Sequence, residues 1–177
     1  TLGSSIASGM AKAATEVTRL FSDPKAVASL LYKPVVRFRT PAGYFYTSSQ
    51  SEIDSIAIQN PSWILEGVAM FGSSQTNWGL SPVHRFRNKF TGSYLYTISE
   101  VEKQTVIDNY SAYFELEGTA WYSSALPGTG FNPVYRFRNI TNGPHIWTAS
   151  EVDKAAILVN YSAIFVLEGI AFYTPVT

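Results

Sequence analysis

One phrase, used three times, constrains this chain more than any other feature. Pro-Val-x-Arg-Phe-Arg stands at 34–39 ("PVVRFR"), 82–87 ("PVHRFR") and 133–138 ("PVYRFR"). The same companions follow it each time. A glycine turn leads to an aromatic-Thr pair ("GYFYT", "GSYLYT", "GPHIWT"). A Ser-Glu then opens a helical stretch, and Leu-Glu-Gly precedes an alanine and two bulky residues ("LEGVAMF", "LEGTAWY", "LEGIAFY"). Three units result, spanning 34–72, 82–123 and 133–174. One unit of this size cannot bury its own apolar face, so the three must pack on one another.

Each unit reads as β-β-α-β. In an alternating strand the two arginines share one face and the phenylalanine takes the other. Thr91-Gly92 and Asn142-Gly143 are hairpin signals, with Ala42-Gly43 in the same place. Ser99 stands as the N-cap of a helix with acids in its first turn, and Val101, Val106 and Ile107 offer a partial apolar face. The third strand starts near Phe114 or Phe165, and Gly67, Gly118 and Gly169 mark a bulge or a close approach of backbones. The expected fold is β-rich, with three ββαβ-like units in a pseudo-threefold closed arrangement after an N-terminal helix. A short linear stack is the alternative.

Residues 1–33 form a separate helical segment before the repeat domain at 34–177. Ile6, Met10, Ala13, Val17 and Leu20 step by four and three, as in a coiled-coil seam. Two readings stay open: a helix packed on its own domain, or the end of a stalk forming a homotrimer through residues 6–20.

The recurring acid beside the recurring arginines predicts ion pairs. Arg37 or Arg39 pairs with Glu66, Arg85 or Arg87 with Glu117, and Arg136 or Arg138 with Glu168. In the other reading, one arginine of each unit faces a groove and binds ligand.

Formal net charge is zero over 177 residues, which argues against a nucleic-acid partner. No run of about 18 apolar residues spans a membrane. There is no cysteine, and neither His84 nor His145 has a metal-ligand neighbour, so no metal or cofactor is expected. No phosphate loop or nucleophile-elbow motif appears. An acid present in every unit suits a structural pair better than a single catalytic site, which makes an enzyme acting on polysaccharide the least favoured class.

Aromatic residues reach 15% of the chain. Sugars present flat C–H faces for rings and hydroxyls for polar side chains, so carbohydrate is the leading ligand. Trp78, Tyr44, Tyr94, His145, Asn88 and Asn139 are the candidate contacts, in loops and turns. Trp63 and Trp121 read as core, and Asn88 and Asn139 read equally as turn caps.

Taken together, the Arg-Phe-Arg-Asn, Thr-Gly, Tyr-Thr, Ser-Glu and Glu-Gly-x-Ala-x-Tyr elements resemble a tandem-repeat family of unassigned function. That family occurs in secreted and surface proteins of bacteria and fungi. The resemblance covers 34–174 and implies a small, β-rich, non-catalytic module, with glycan binding among its suggested roles. Ala42-Gly43 and the Gly143-Pro144-His145 turn depart from the pattern. The functional expectation is a lectin-like adhesin tip on a secreted or surface protein. The alternative is a structural or protein-interaction module without glycan binding.

Overall fold

A computed structural model describes Thr15, residues 32–76 and residues 79–176. The coiled-coil seam at 6–20 and Trp78 lie outside the described residues. The element order repeats three times: β1 (Lys33–Thr40), β2 (Gly43–Thr47), α1 (Gln50–Gln59) and β3 (Ile64–Gly72) form the first unit. The second holds β4 (Ser81–Asn88), β5 (Tyr94–Thr97), α2 (Glu100–Tyr110) and β6 (Phe114–Ser123). The third holds β7 (Phe131–Asn139), β8 (His145–Thr148), α3 (Glu151–Asn160) and β9 (Phe165–Pro175). Each unit makes one three-stranded antiparallel sheet with the Arg-Phe-Arg strand in the centre, in the orders β2-β1-β3, β5-β4-β6 and β8-β7-β9. The sheets stay separate, and no closed barrel forms among the described residues.

Local chemistry starts each helix. Ser49, Ser99 and Ser150 are N-caps in extended backbone, and each hydroxyl accepts the N–H three residues on, from Glu52, Glu102 and Asp153. Val106 is the buried residue of α2, whereas Val101 is 78% exposed. The expected shared face fails because five residues exceed one turn by about 140°.

A single core joins the units. Val35, Tyr46 and Met70 of the first unit meet Val83, Phe86, Tyr96 and Trp121 of the second and Val134, Trp147 and Phe172 of the third. Trp121 is buried there, while Trp63 is only partly buried against a satellite cluster of Phe38, Phe45 and Ile56.

The edge strands β2 and β8 are closed by neighbouring phenols. The Tyr96 hydroxyl accepts the Tyr46 N–H and donates to the Tyr46 carbonyl, each at 2.8 Å. The Tyr46 hydroxyl does the same for Trp147, at 2.8 and 2.7 Å. In the equivalent slot the third unit carries Trp147, whose buried indole Nε1 has no hydrogen-bond partner among the described residues. Short bridges join Ser73 to Tyr122 and Ser124 to Tyr173. Thr174 Oγ1 accepts the Phe71 N–H and donates to its carbonyl, at 2.9 and 3.1 Å. Every unit thus bonds to both others.

The Leu-Glu-Gly phrase creates a bulge in each outer strand. Arg37 sits opposite Gly67 and Phe38 opposite Leu65, so Glu66 is the extra residue. Glu117 and Glu168 are extra in the same way. Gly67 has φ +111°, yet a Cβ built there would meet nothing within 4 Å. Its glycine is therefore required by the bulge backbone and not by a close approach.

Gly72 is the opposite case, since a Cβ there would lie 2.5 Å from Trp121 Cδ1. Both Gly67→Ala and Gly72→Ala should lower stability in urea unfolding by about 1–3 kcal/mol, the first through backbone strain and the second through overpacking. Trp121→Phe should relieve part of the Gly72→Ala loss and none of the Gly67→Ala loss. Equal effects on both would contradict this assignment.

Candidate functional site

The central arginine of each unit is gripped by two acids. Arg37 Nε lies 2.6 Å from Glu66, Arg85 Nε 2.7 Å from Glu117 and Arg136 Nε 2.8 Å from Glu168. In each case the acid is the bulged residue of the same unit. The second acid comes from another unit. Arg85 donates two hydrogen bonds to Glu52, at 3.1 and 2.6 Å, and Arg136 Nη1 reaches Glu102 at 2.8 Å. Arg37 Nη1 reaches Asp153 at 3.7 Å. The first, second and third units are therefore clasped in every pairing.

Packing supports the clasp. The Arg85 guanidinium lies 4.9 Å from the centre of the Phe45 ring of the first unit. Its side chain is 14% exposed, against 34% for Glu52 and 27% for Glu117. Burial works against charge on Glu52, but the hydrogen bonds from Arg85 and Thr47 and the Arg85 charge outweigh it, so its carboxyl sits below the usual range. Burial also lowers His145, against the pull of Glu168 3.2 Å away.

Sequence reasoning assigned the first-turn acids to helix starts. The signal for their second role was available: an acid stands three residues after each N-cap serine, at Glu52, Glu102 and Asp153. In an ordinary capping box that side chain turns back to the N-cap N–H. Here the N–H of Ser49 and of Ser150 is taken by Thr47 and Thr148 Oγ1, freeing the acid to cross to the next unit.

The hairpin turns of the three units gather at one end. A groove of about 560 Å³ there is bounded by Arg39, Tyr44 and Gly43 of the first unit, Thr91 of the second, and Asn142, Pro144 and Tyr161 of the third. Tyr44 and Asn139, both singled out in the sequence, line this groove together. A related cleft of about 330 Å³ lies where the first unit meets the second, with Asn60 and Trp63 facing Arg87, Gly92 and Tyr94. A third of about 270 Å³ has the Arg85 clasp in its wall.

Tyr44 and Tyr94 are half-buried in the walls of these clefts, whereas His145 is half-buried beside Glu168 and lines none of the three. The Phe45 and Tyr94 rings pack edge to face at 4.8 Å. Asn88 and Asn139 each spend their Oδ1 on backbone N–H groups of their own turn, those of Phe90 and Thr91 and of Thr141 and Asn142. They act as turn caps, and only their amide nitrogens stay available. Tyr161 escaped sequence reasoning, whereas the sequence reads Asn142 only as a hairpin signal, Trp63 as core, and Arg39 as a partner of Glu66 or a groove-facing ligand contact; the clefts that unite them assemble only where units meet. Among the described residues no group of three or more His, Asp or Glu converges as a metal site. No helix among them is long and apolar enough to cross a membrane.

Residues 34–175 match the family model described as Domain of unknown function (DUF5648). The chain belongs to that family. No curated protein and no solved structure matches it.

If the clasp holds the units in place, Arg85→Ala should cost about 2–3 kcal/mol in urea unfolding, because it strands two partly buried acids. The exposed Arg87→Ala should cost under about 0.5 kcal/mol. Equal losses would remove the clasp from the account. The pH dependence has a defined sign. A depressed folded pKa stabilises fully above the ordinary value of 4.5 and is lost as pH falls through the folded value. Glu52→Gln should be less stable than wild type at pH 7, and the two should converge as pH falls from 4.5 through the lower folded value.

Proposed function

We propose that this member of the family is a non-catalytic binding module that takes saccharide in the clefts where hairpin turns of adjacent units meet. Three similar units set around a pseudo-threefold axis would repeat such a cleft at each junction. Several weak sites on one body gain avidity without new chemistry. A glycan-coated surface met by a secreted or surface-displayed protein is the natural setting.

One observation carries this reading. Two junctions on the turn side share a composition: an aromatic platform, an arginine and a carboxamide. Tyr44, Tyr161, Arg39 and Asn142 supply it at one, and Trp63, Tyr94, Arg87 and Asn60 at the other. Rings cover the C–H faces of a pyranose, while guanidinium and amide groups bond to its hydroxyls. Glu52 suits a fixed anion, since it is held ionised by Arg85 and so is a poor proton donor.

A second reading also has support. Ile64, Leu65 and Val68 on β3 and Ile170 on β9 are each 50% exposed or more, which would suit packing against another protein.

A glycan array with the full chain separates the two readings. Saturable binding should appear, and Tyr161→Ala should weaken it at least about 10-fold, or about 1.4 kcal/mol, with an unchanged melting temperature. Silence across a broad array, together with self-association or capture of a protein partner, would favour the second reading.

A further inference from the structure

We infer that the cleft between the first and second units selects a saccharide bearing a carboxylate, such as a hexuronate, with Arg87 as its anion-binding group. The inference rests on the saccharide reading above and adds the charge of the ligand.

The outer arginines of the three units occupy one position: Arg39, Arg87 and Arg138. Two of them are already answered by an acid. Arg39 Nε lies 3.4 Å from Glu66 Oε1, and Arg138 Nε lies 3.1 Å from Glu168 Oε1. Arg87 has no carboxylate within ion-pair distance among the described residues. Its equivalent acid, Glu117, holds Arg85 at 2.7 Å just as Glu66 and Glu168 hold Arg37 and Arg136, but unlike them it forms no second ion pair with the outer arginine among the described residues. Arg87 is exposed, and among the described residues it is the one charged side chain lining this cleft.

The walls fit a pyranose ring. Tyr94 is the register partner of Arg87 on β5, so both side chains stand on one face of the sheet. Trp63 crosses from the first unit, with its ring centre 6.4 Å from that of Tyr94 and the planes at 78°. Asn60 adds an amide, and the volume of about 330 Å³ lies at the small end of ligand pockets. A planar guanidinium binds a carboxylate through two parallel N–H donors, and no neighbouring acid must first be displaced.

Glu115 is the acid to account for. It pairs in register with Arg87 across β4 and β6, where the other units carry Ile64 and Val166. It does not line the cleft and makes no ion pair among the described residues, so it weakens the local positive field without occupying the anion site.

The test uses matched methyl glycosides of hexoses and their hexuronates in the gluco, galacto and manno series. They are titrated into the full chain and followed by calorimetry and by amide chemical shifts. At least one hexuronate should bind about 10-fold or more tightly than its parent hexose, with shifts at Trp63 and Tyr94. Raising salt should shrink the difference. Arg87→Gln should abolish the preference, Arg87→Lys should keep part of it, Arg138→Gln should leave it, and Glu115→Gln should enlarge it. Equal binding of both sugar classes, or a preference that survives Arg87→Gln, overturns the inference while the saccharide reading stands. No binding by any glycoside removes both.

Discussion

Three guanidinium groups, each held between an acid of its own unit and an acid of a neighbour, are the interaction on which this structure depends. The inner pair fixes register within a sheet, since Glu66, Glu117 and Glu168 reach their arginines only because each is the extra residue of a bulge. The outer pair fixes one unit against the next through Glu52, Glu102 and Asp153. Part of each side chain stays in water, so removing these charges from solvent costs less than in a deep core. Their main effect is to specify one mutual arrangement, while the shared apolar core supplies most of the stability. The clefts follow from the same geometry, because units held at fixed separations leave gaps where their turns approach.

The three junctions are alike but not equal. Tyr96 and Tyr46 close the exposed backbone of the neighbouring edge strand, whereas Trp147 in the third unit has a buried nitrogen without a hydrogen-bond partner among the described residues. Arg85 makes two hydrogen bonds to Glu52, while Arg37 meets Asp153 only at 3.7 Å, with that acid 46% exposed. Asp153 is one methylene shorter than Glu, which accounts for the longer reach. Such differences allow each cleft its own chemistry on a common frame, as Arg39 and Arg87 illustrate. Arg39 has an acid beside it and Arg87 has none in ion-pair distance among the described residues.

Much of the local structure was legible in the sequence. The β-β-α-β order, the Ser99 N-cap and the bulge glycines depend on neighbours a few residues away, and local residue chemistry reports them, whereas in the first unit the cap is Ser49, ahead of the Ser-Glu phrase at 51–52. The own-unit Arg–Glu contacts were readable because both partners recur at matched positions. The acid crossing from the neighbouring unit was not read, since one signal, Ser-x-x-Glu, serves both as a helix start and as a bridge. Val101 was misplaced because β-branched residues near a helix start look apolar whichever way they face. The turn-end groove draws Arg39, Tyr161 and Asn142 from distant parts of the chain, and no spacing rule brings them together.

A double-mutant cycle between Arg85 and Glu52 tests the central claim most directly. Arg85→Ala, Glu52→Ala and the double variant are compared with wild type by urea unfolding at pH 7 and low salt. A clasp between units predicts a coupling energy of about 1–3 kcal/mol, because the second substitution removes little once the first is made. Additivity within about 0.5 kcal/mol would mean that the two residues do not hold the units together.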